Sequence, residues 1–277
     1  MRDPATVAAA QSAVPGWAVP AVAAVTHLGE PVLLLAVLPP LYWLGERYGL
    51  VERRDGLRLV AVGVGGAGLV LALKAAFALQ RPPSSLWLVH ADGPAFPSGH
   101  ATSATVMYGG LAYYLDRGRR RTRLAVAATL AVAVAASRVL LGVHYPTDVV
   151  AGVVVGTAYL AVATRVVADL DRAFPLASGL GLAALLATSV GPGDPSDGAV
   201  VLGAALGGTL AWRAVRDRTV TAAVPTPAFA VLGLAATLAL FGVTRVLEPG
   251  ALAAGAINSV TGVTVVGLPA AGQYFSR

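Results

Sequence analysis

Residues 57–80 read LRLVAVGVGGAGLVLALKAAFALQ, and from Leu59 to Leu73 no side chain is polar. About 20 mostly apolar residues are needed to cross the hydrocarbon core of a bilayer, so this stretch predicts a transmembrane helix. Near its end stands Lys74, the only lysine of the chain. A charge there is expensive and calls for a partner or a task; snorkelling to the interface is the plain alternative. Arg81-Pro82 follows seven residues later.

Working outward, the same apolar character recurs. Of 277 residues 56% are hydrophobic and 12% charged, with mean hydropathy +0.72. Soluble domains carry about 25% charged residues, which excludes a soluble globular protein. Further spans are predicted at 30–46, 99–115, 123–140, 148–168, 175–190, 198–213, 223–246 and 251–270. The fold class is all-α, a polytopic transmembrane helix bundle. Residues 1–28 are broken by Pro15, Gly16 and Pro20 and start with Arg2-Asp3, not the basic start of a signal peptide. They read as a short helix at the interface or dipping into it, anchored by Trp17.

The net charge of +6 does not imply nucleic acid. One set of loops holds Arg47, Arg53, Arg54 and Arg58, then Arg117 to Arg123, then Arg165 and Arg172, then Arg213, Arg216 and Arg218. The alternate loops hold only Arg81, Arg138 and Arg245. Cytoplasmic loops collect Arg and Lys, so the first set is expected in the cytoplasm of a multi-pass cell-membrane protein. With no cysteine, disulfides, thiolate nucleophiles and cysteine metal sites are excluded.

Three polar blocks then fall at the outer ends of helices. Lys74 and Arg81 form the first. Pro97-Ser98-Gly99-His100 is the second: Ser98 is a suitable N-cap for the apolar run that follows, and a helix N-terminus with a glycine is a natural anion site. An ordinary cap followed by an interfacial histidine is the bland alternative. The third is Ser137-Arg138, then His144-Tyr145-Pro146-Thr147-Asp148. Asp148 is expected in the first turn of the next helix, reaching back to one nitrogen of His144 so that the other becomes the better nucleophile. Taken alone, it could simply complement the helix dipole. Arginine offers phosphate a planar fork and lysine a point charge, so the set suits a phosphate passed through a histidine.

Lys74-x6-Arg81-Pro82, Pro97-Ser98-Gly99-His100 and Ser137-Arg138-x5-His144-x3-Asp148 resemble the tripartite signature of the type 2 phosphatidic acid phosphatase (PAP2) family, whose superfamily includes vanadium-dependent haloperoxidases. The resemblance covers about residues 25–170. It implies that His144 attacks phosphorus, that Asp148 orients it, and that His100 protonates the leaving oxygen and later activates water. Lys74, Arg81, Ser98, Gly99 and Arg138 would hold the phosphoryl oxygens, with no metal and no cofactor.

The expected organisation is a PAP2-like core at 1–173 and a C-terminal transmembrane extension at 174–277. The expected activity is metal-independent hydrolysis of a lipid phosphate or polyprenyl diphosphate on the outer membrane face, with no nucleic-acid partner. A lipid phosphotransferase, or a lipid carrier or scramblase with an idle site, are the alternatives. Gly152-x3-Gly156 and Gly203-x3-Gly207 suggest close helix packing, within the chain or in a homo-oligomer. Asp194 and Asp197 read as turn residues, and His27, Glu30, Trp87 and His90 as interfacial.

Overall fold

A computed structural model of the chain describes residues 2–219 and 224–275. Its described residues form α1 (Pro4–Ser12), α2 (Val19–His27), α3 (Pro31–Leu44), α4 (Arg53–Phe77), α5 (Gly99–Tyr114), α6 (Arg120–Leu140), α7 (Pro146–Val166), α8 (Leu170–Val190), α9 (Pro195–Thr219), α10 (Pro227–Leu247) and α11 (Ala251–Phe275). No strand occurs among them. Seven of these helices, α4 and α6–α11, are long and apolar enough to cross a membrane. The chain is a multi-pass membrane protein.

Helix α3 is shorter than the expected 30–46, while α5 agrees with the expected 99–115 to within one residue. Helix α3 has 14 residues and α5 has 16. At 1.5 Å per residue α5 is about 24 Å long, against a core of about 30 Å. Helix α8 begins earlier than expected, because Asp169 caps it, its Oδ1 accepting from Asp171 N at 3.0 Å. Pro175 is then carried inside the helix, and Phe174 is buried in the core.

Loop contacts define two ends. At one, Asp116 N donates to Leu50 O at 2.9 Å, joining the two most arginine-rich loops. At the other, Ser98 N donates to Asp148 O at 2.9 Å, and Leu88 N to Leu141 O at 3.0 Å. Lys74, Arg81, His100, Arg138 and His144 all belong to this second end.

Both glycine pairs pack helices within the chain. A Cβ at Gly152 would lie 2.8 Å from Ser98 O, and one at Gly156 would lie 2.8 Å from Thr105 Cβ, so α7 and α5 meet at backbone distance. A Cβ at Gly203 would stand 2.1 Å from Gly255 O and one at Gly207 2.0 Å from Ser259 O, which locks α9 against α11. Helices in lipid associate through such close packing, since burial of apolar surface drives nothing there. The core of large side chains lies nearer the arginine-rich end. Trp43 Nε1 donates to Val265 O at 2.8 Å and Tyr42 OH to Val266 O at 3.1 Å, tying α3 to α11.

The N-terminal segment folds as α1 and α2 with a 94° bend between them. Trp17, between the two, is 84% exposed.

Candidate active site

Each polar block arrives by a local device. Helix α4 ends at Ala78, whose left-handed backbone (φ 50°) turns the chain four residues after Lys74 and sends it toward Arg81. Ser98 caps α5, its Oγ accepting from Ala101 N at 3.5 Å. Gly142 (φ 79°) turns the chain out of α6 ahead of His144. A Cβ there would meet Leu86 O at 1.9 Å, so only glycine fits. Pro146 opens α7, which places Asp148 in its first turn.

His144 is 1% exposed and Asp148 fully buried. Arg81 Nη1 lies 3.2 Å from His144 Nε2 and donates to Val143 O at 2.9 Å. The rest of the Arg81 fork is held by the 92–93 loop, Nε donating to Gly93 O at 3.0 Å and Nη2 to Asp92 O at 2.6 Å. Burial first, then the charges of Arg81, Arg138, Lys74 and Arg2, push the His144 pKa well below its ordinary value. The imidazole is therefore neutral, the form in which a ring nitrogen keeps its lone pair.

The pair with Asp148 differs from the sequence expectation. His144 Nδ1 stands 3.5 Å from Asp148 Oδ2 and has no hydrogen-bond partner. The carboxylate is engaged elsewhere, Oδ2 accepting from Tyr145 N at 3.0 Å and Oδ1 from Arg2 Nη1. Arg2 also donates to Gln80 O and lies over the Tyr145 ring, 4.7 Å from its centroid. Two more residues of the N-terminal segment join in: Thr26 Oγ1 accepts from Arg138 Nη1 at 2.8 Å, and Gln11 Nε2 donates to Leu86 O. Sequence reasoning missed all three. Arg2 and Asp148 are 146 residues apart, and nothing in an alanine-rich interfacial segment signals such a reach.

Lys74 and Arg138 form no ion pair among the described residues. Arg138 is 5% exposed, its one hydrogen bond among the described residues goes to Thr26, and its Nε has none. Lys74 makes no hydrogen bond or ion pair among the described residues. A charge inside a membrane helix costs about 3 kcal/mol on insertion scales. Two such cations, neither in an ion pair among the described residues, fit an anion that is brought in from outside. Gly99 leaves the approach clear: a Cβ there would be 3.7 Å from Lys74 Cε. His100 shares a cavity with Lys74 and Gly99.

Of the polar residues set aside earlier, Asp197 lines the same cavity as Lys74 and His100, and the others pair locally. His27 Nδ1 pairs with Glu30 at 2.6 Å, His90 with Asp92 at 2.8 Å, and Trp87 Nε1 donates to Pro82 O at 2.9 Å. Asp194 makes the expected turn, accepting from Ser196 N at 2.8 Å, whereas Asp197 pairs with Arg245 at 3.0 Å.

Residues 56–172 match the model of the PAP2 superfamily. Phosphatidylglycerophosphatase B of Bacillus subtilis is 32% identical over 147 residues, which are 50% of this chain and 70% of that protein. The chain belongs to the PAP2 superfamily. Decaprenylphosphoryl-5-phosphoribose phosphatase of Mycobacterium tuberculosis is 39% identical over 119 residues, 40% of this PAP2 chain and 63% of that protein. The crystal structure of a transmembrane PAP2-type phosphatidylglycerolphosphate phosphatase from Bacillus subtilis superposes with a TM-score of 0.54 at 29% identity, covering 58% of this chain and 82% of that one. As a PAP2 member with phosphatase relatives, the protein is a phosphoric ester hydrolase.

Proposed function

We propose that this PAP2 protein hydrolyses a lipid phosphate or polyprenyl diphosphate through a phosphohistidine at His144, on the outer face of the cell membrane. The observation that carries the reading is two cations with no ion pair among the described residues, the half-buried Lys74 and the buried Arg138, at the same end of the bundle as a neutral His144. The relatives' names support a lipid-anchored phosphate as substrate.

The chemistry takes two displacements. His144 Nε2 attacks phosphorus, the bond to the lipid oxygen breaks, and His100 gives that oxygen a proton. Water then attacks the phosphohistidine, His100 takes its proton, and inorganic phosphate leaves with the Nε2–P bond broken. Arg81, Arg138 and Lys74 hold the equatorial oxygens, with the Ser98–Gly99 end of α5 as a further donor. Arg81 must leave Nε2 for the phosphoryl group when substrate enters. Asp148, fixed by Tyr145 N and Arg2, holds negative charge 3.5 Å from Nδ1 and favours the imidazole that carries the phosphoryl group.

The outward orientation is supported by loop charge, since the arginine-rich loops lie at the end opposite the site. Residues 1–173 form the catalytic core and 174–277 the extension in this reading. Helix α8 straddles that boundary, and residues 1, 220–223 and 276–277 lie outside the described residues. Purified protein in detergent, given lipid monophosphates and polyprenyl diphosphates, is expected to release inorganic phosphate, while the His144→Ala variant releases none. Failure of the native protein on every such lipid would overturn the reading.

A further inference from the structure

A cavity of about 310 Å³ begins at Lys74, Gly99 and His100 and continues into the bundle. Along α4 it is lined from Lys74 back to Val60, a run of about 21 Å at 1.5 Å per residue. That is most of the way across a hydrocarbon core of about 30 Å. Past the head end its lining is mainly apolar, with Leu34, Leu38 and Ala67 on one side and Val201, Phe241 and Val266 on the other. The first three belong to α3 and α4. The others belong to α9, α10 and α11, which lie beyond the family match at 56–172.

We propose that the hydrocarbon tail of the substrate lies in this cavity, and that α9–α11 form the wall that determines which tails are accepted. The proposal rests on the lipid phosphatase reading and assigns a role to the extension. Three observations carry it. The cavity is continuous with the cations and histidine that take the phosphate. Its length suits a long acyl or prenyl chain, lying along the bundle axis as a lipid tail does. Its volume falls at the lower end of the range for small-molecule sites.

The head end is lined on the extension side by Arg245 and Asp197, paired at 3.0 Å. Arg245 also sits over Phe241, 5.2 Å from the ring centroid. The extension thus approaches the substrate at its phosphate end and follows it inward. A tail leaving the bilayer for this cavity exchanges one apolar medium for another, so shape decides acceptance rather than hydrophobic transfer. A tail that cannot enter pulls phosphorus away from His144, and misplacement by about 1 Å costs up to about a hundredfold in rate.

The test is photolabelling of the full chain. A long-chain lipid phosphate with a diazirine near the tail end is bound to native protein, irradiated and mapped by mass spectrometry. Label is expected on α11 or the inner part of α9, around Val265 and Ala204, and to be competed by unlabelled lipid phosphate. Competed label confined to α3–α7, or no competed label while phosphate is still released, would overturn the proposal. A protein releasing no phosphate from any lipid would instead overturn the lipid phosphatase reading. In a second arm, Ala204→Phe on α9 is expected to lower the ratio of kcat/KM for a sixteen-carbon over a four-carbon phosphate ester by about tenfold or more. An unchanged ratio in a variant that purifies as native would contradict the assigned wall.

Discussion

Arg81 Nη1 stands 3.2 Å from His144 Nε2, against the nitrogen assigned to attack phosphorus. The histidine is 1% exposed. Three backbone carbonyls, of Asp92, Gly93 and Val143, hold the rest of the guanidinium. A phosphate can take Arg81 from the histidine while the fork keeps some of these bonds. Arg81→Lys is therefore not conservative, since one ammonium cannot span the carbonyls and a phosphate together. Its kcat/KM is expected to fall about a hundredfold, as for loss of an oxyanion donor. Steady-state kinetics within tenfold of native would contradict this role.

Arg2 is expected to act through Asp148. With Arg2→Ala the carboxylate loses the cation on Oδ1, so kcat should fall about tenfold with little change in KM. In an Asp148→Asn background the same change should cost almost nothing further, since residues in one network are not additive. Equal losses in both backgrounds, measured as a double-mutant cycle, would make Arg2 a structural residue only.

His144 also gives the fold a pH dependence. Its folded pKa lies well below the ordinary value, lowered chiefly by burial, whereas in the unfolded chain it returns to about 6.5. Below that pH the unfolded state binds a proton that the folded state refuses, so stability falls as pH drops. One such group contributes up to about 1.4 kcal/mol per pH unit. Thermal unfolding in detergent between pH 6.5 and 5 should show a shallower acid loss for His144→Gln than for native protein. Parallel curves would mean that His144 is protonated in the fold.

The tripartite pattern was legible because each block sits where a helix starts or stops. Ser98 caps α5 and Asp148 occupies the first turn of α7, both as local sequence rules require. Alternating helices then bring the blocks to one end. What the sequence could not disclose is long-range. Arg2 and Thr26 reach the site only because the 94° bend folds the N-terminal segment over it. Asp197 reads locally as a turn residue, and its partner Arg245 lies on another helix.

The cation set predicts a chelator-resistant enzyme. Lys74, Arg81 and Arg138 supply the positive charge around the phosphate, so activity should persist in EDTA, and vanadate should inhibit as a five-coordinate phosphorus mimic. Loss in EDTA with recovery on adding magnesium would contradict the site assignment.

Orientation has its own test, since no native cysteine interferes. Ser85→Cys should react with an impermeant thiol reagent on intact cells, and Gly118→Cys only after lysis. The reverse pattern would place the site in the cytoplasm.

The phosphohistidine itself is the central claim. Native protein mixed with a lipid phosphate carrying labelled phosphorus and quenched in base within milliseconds should hold base-stable, acid-labile label on His144, absent from His144→Ala. Turnover with no label on His144, or with label on another residue, would contradict the account.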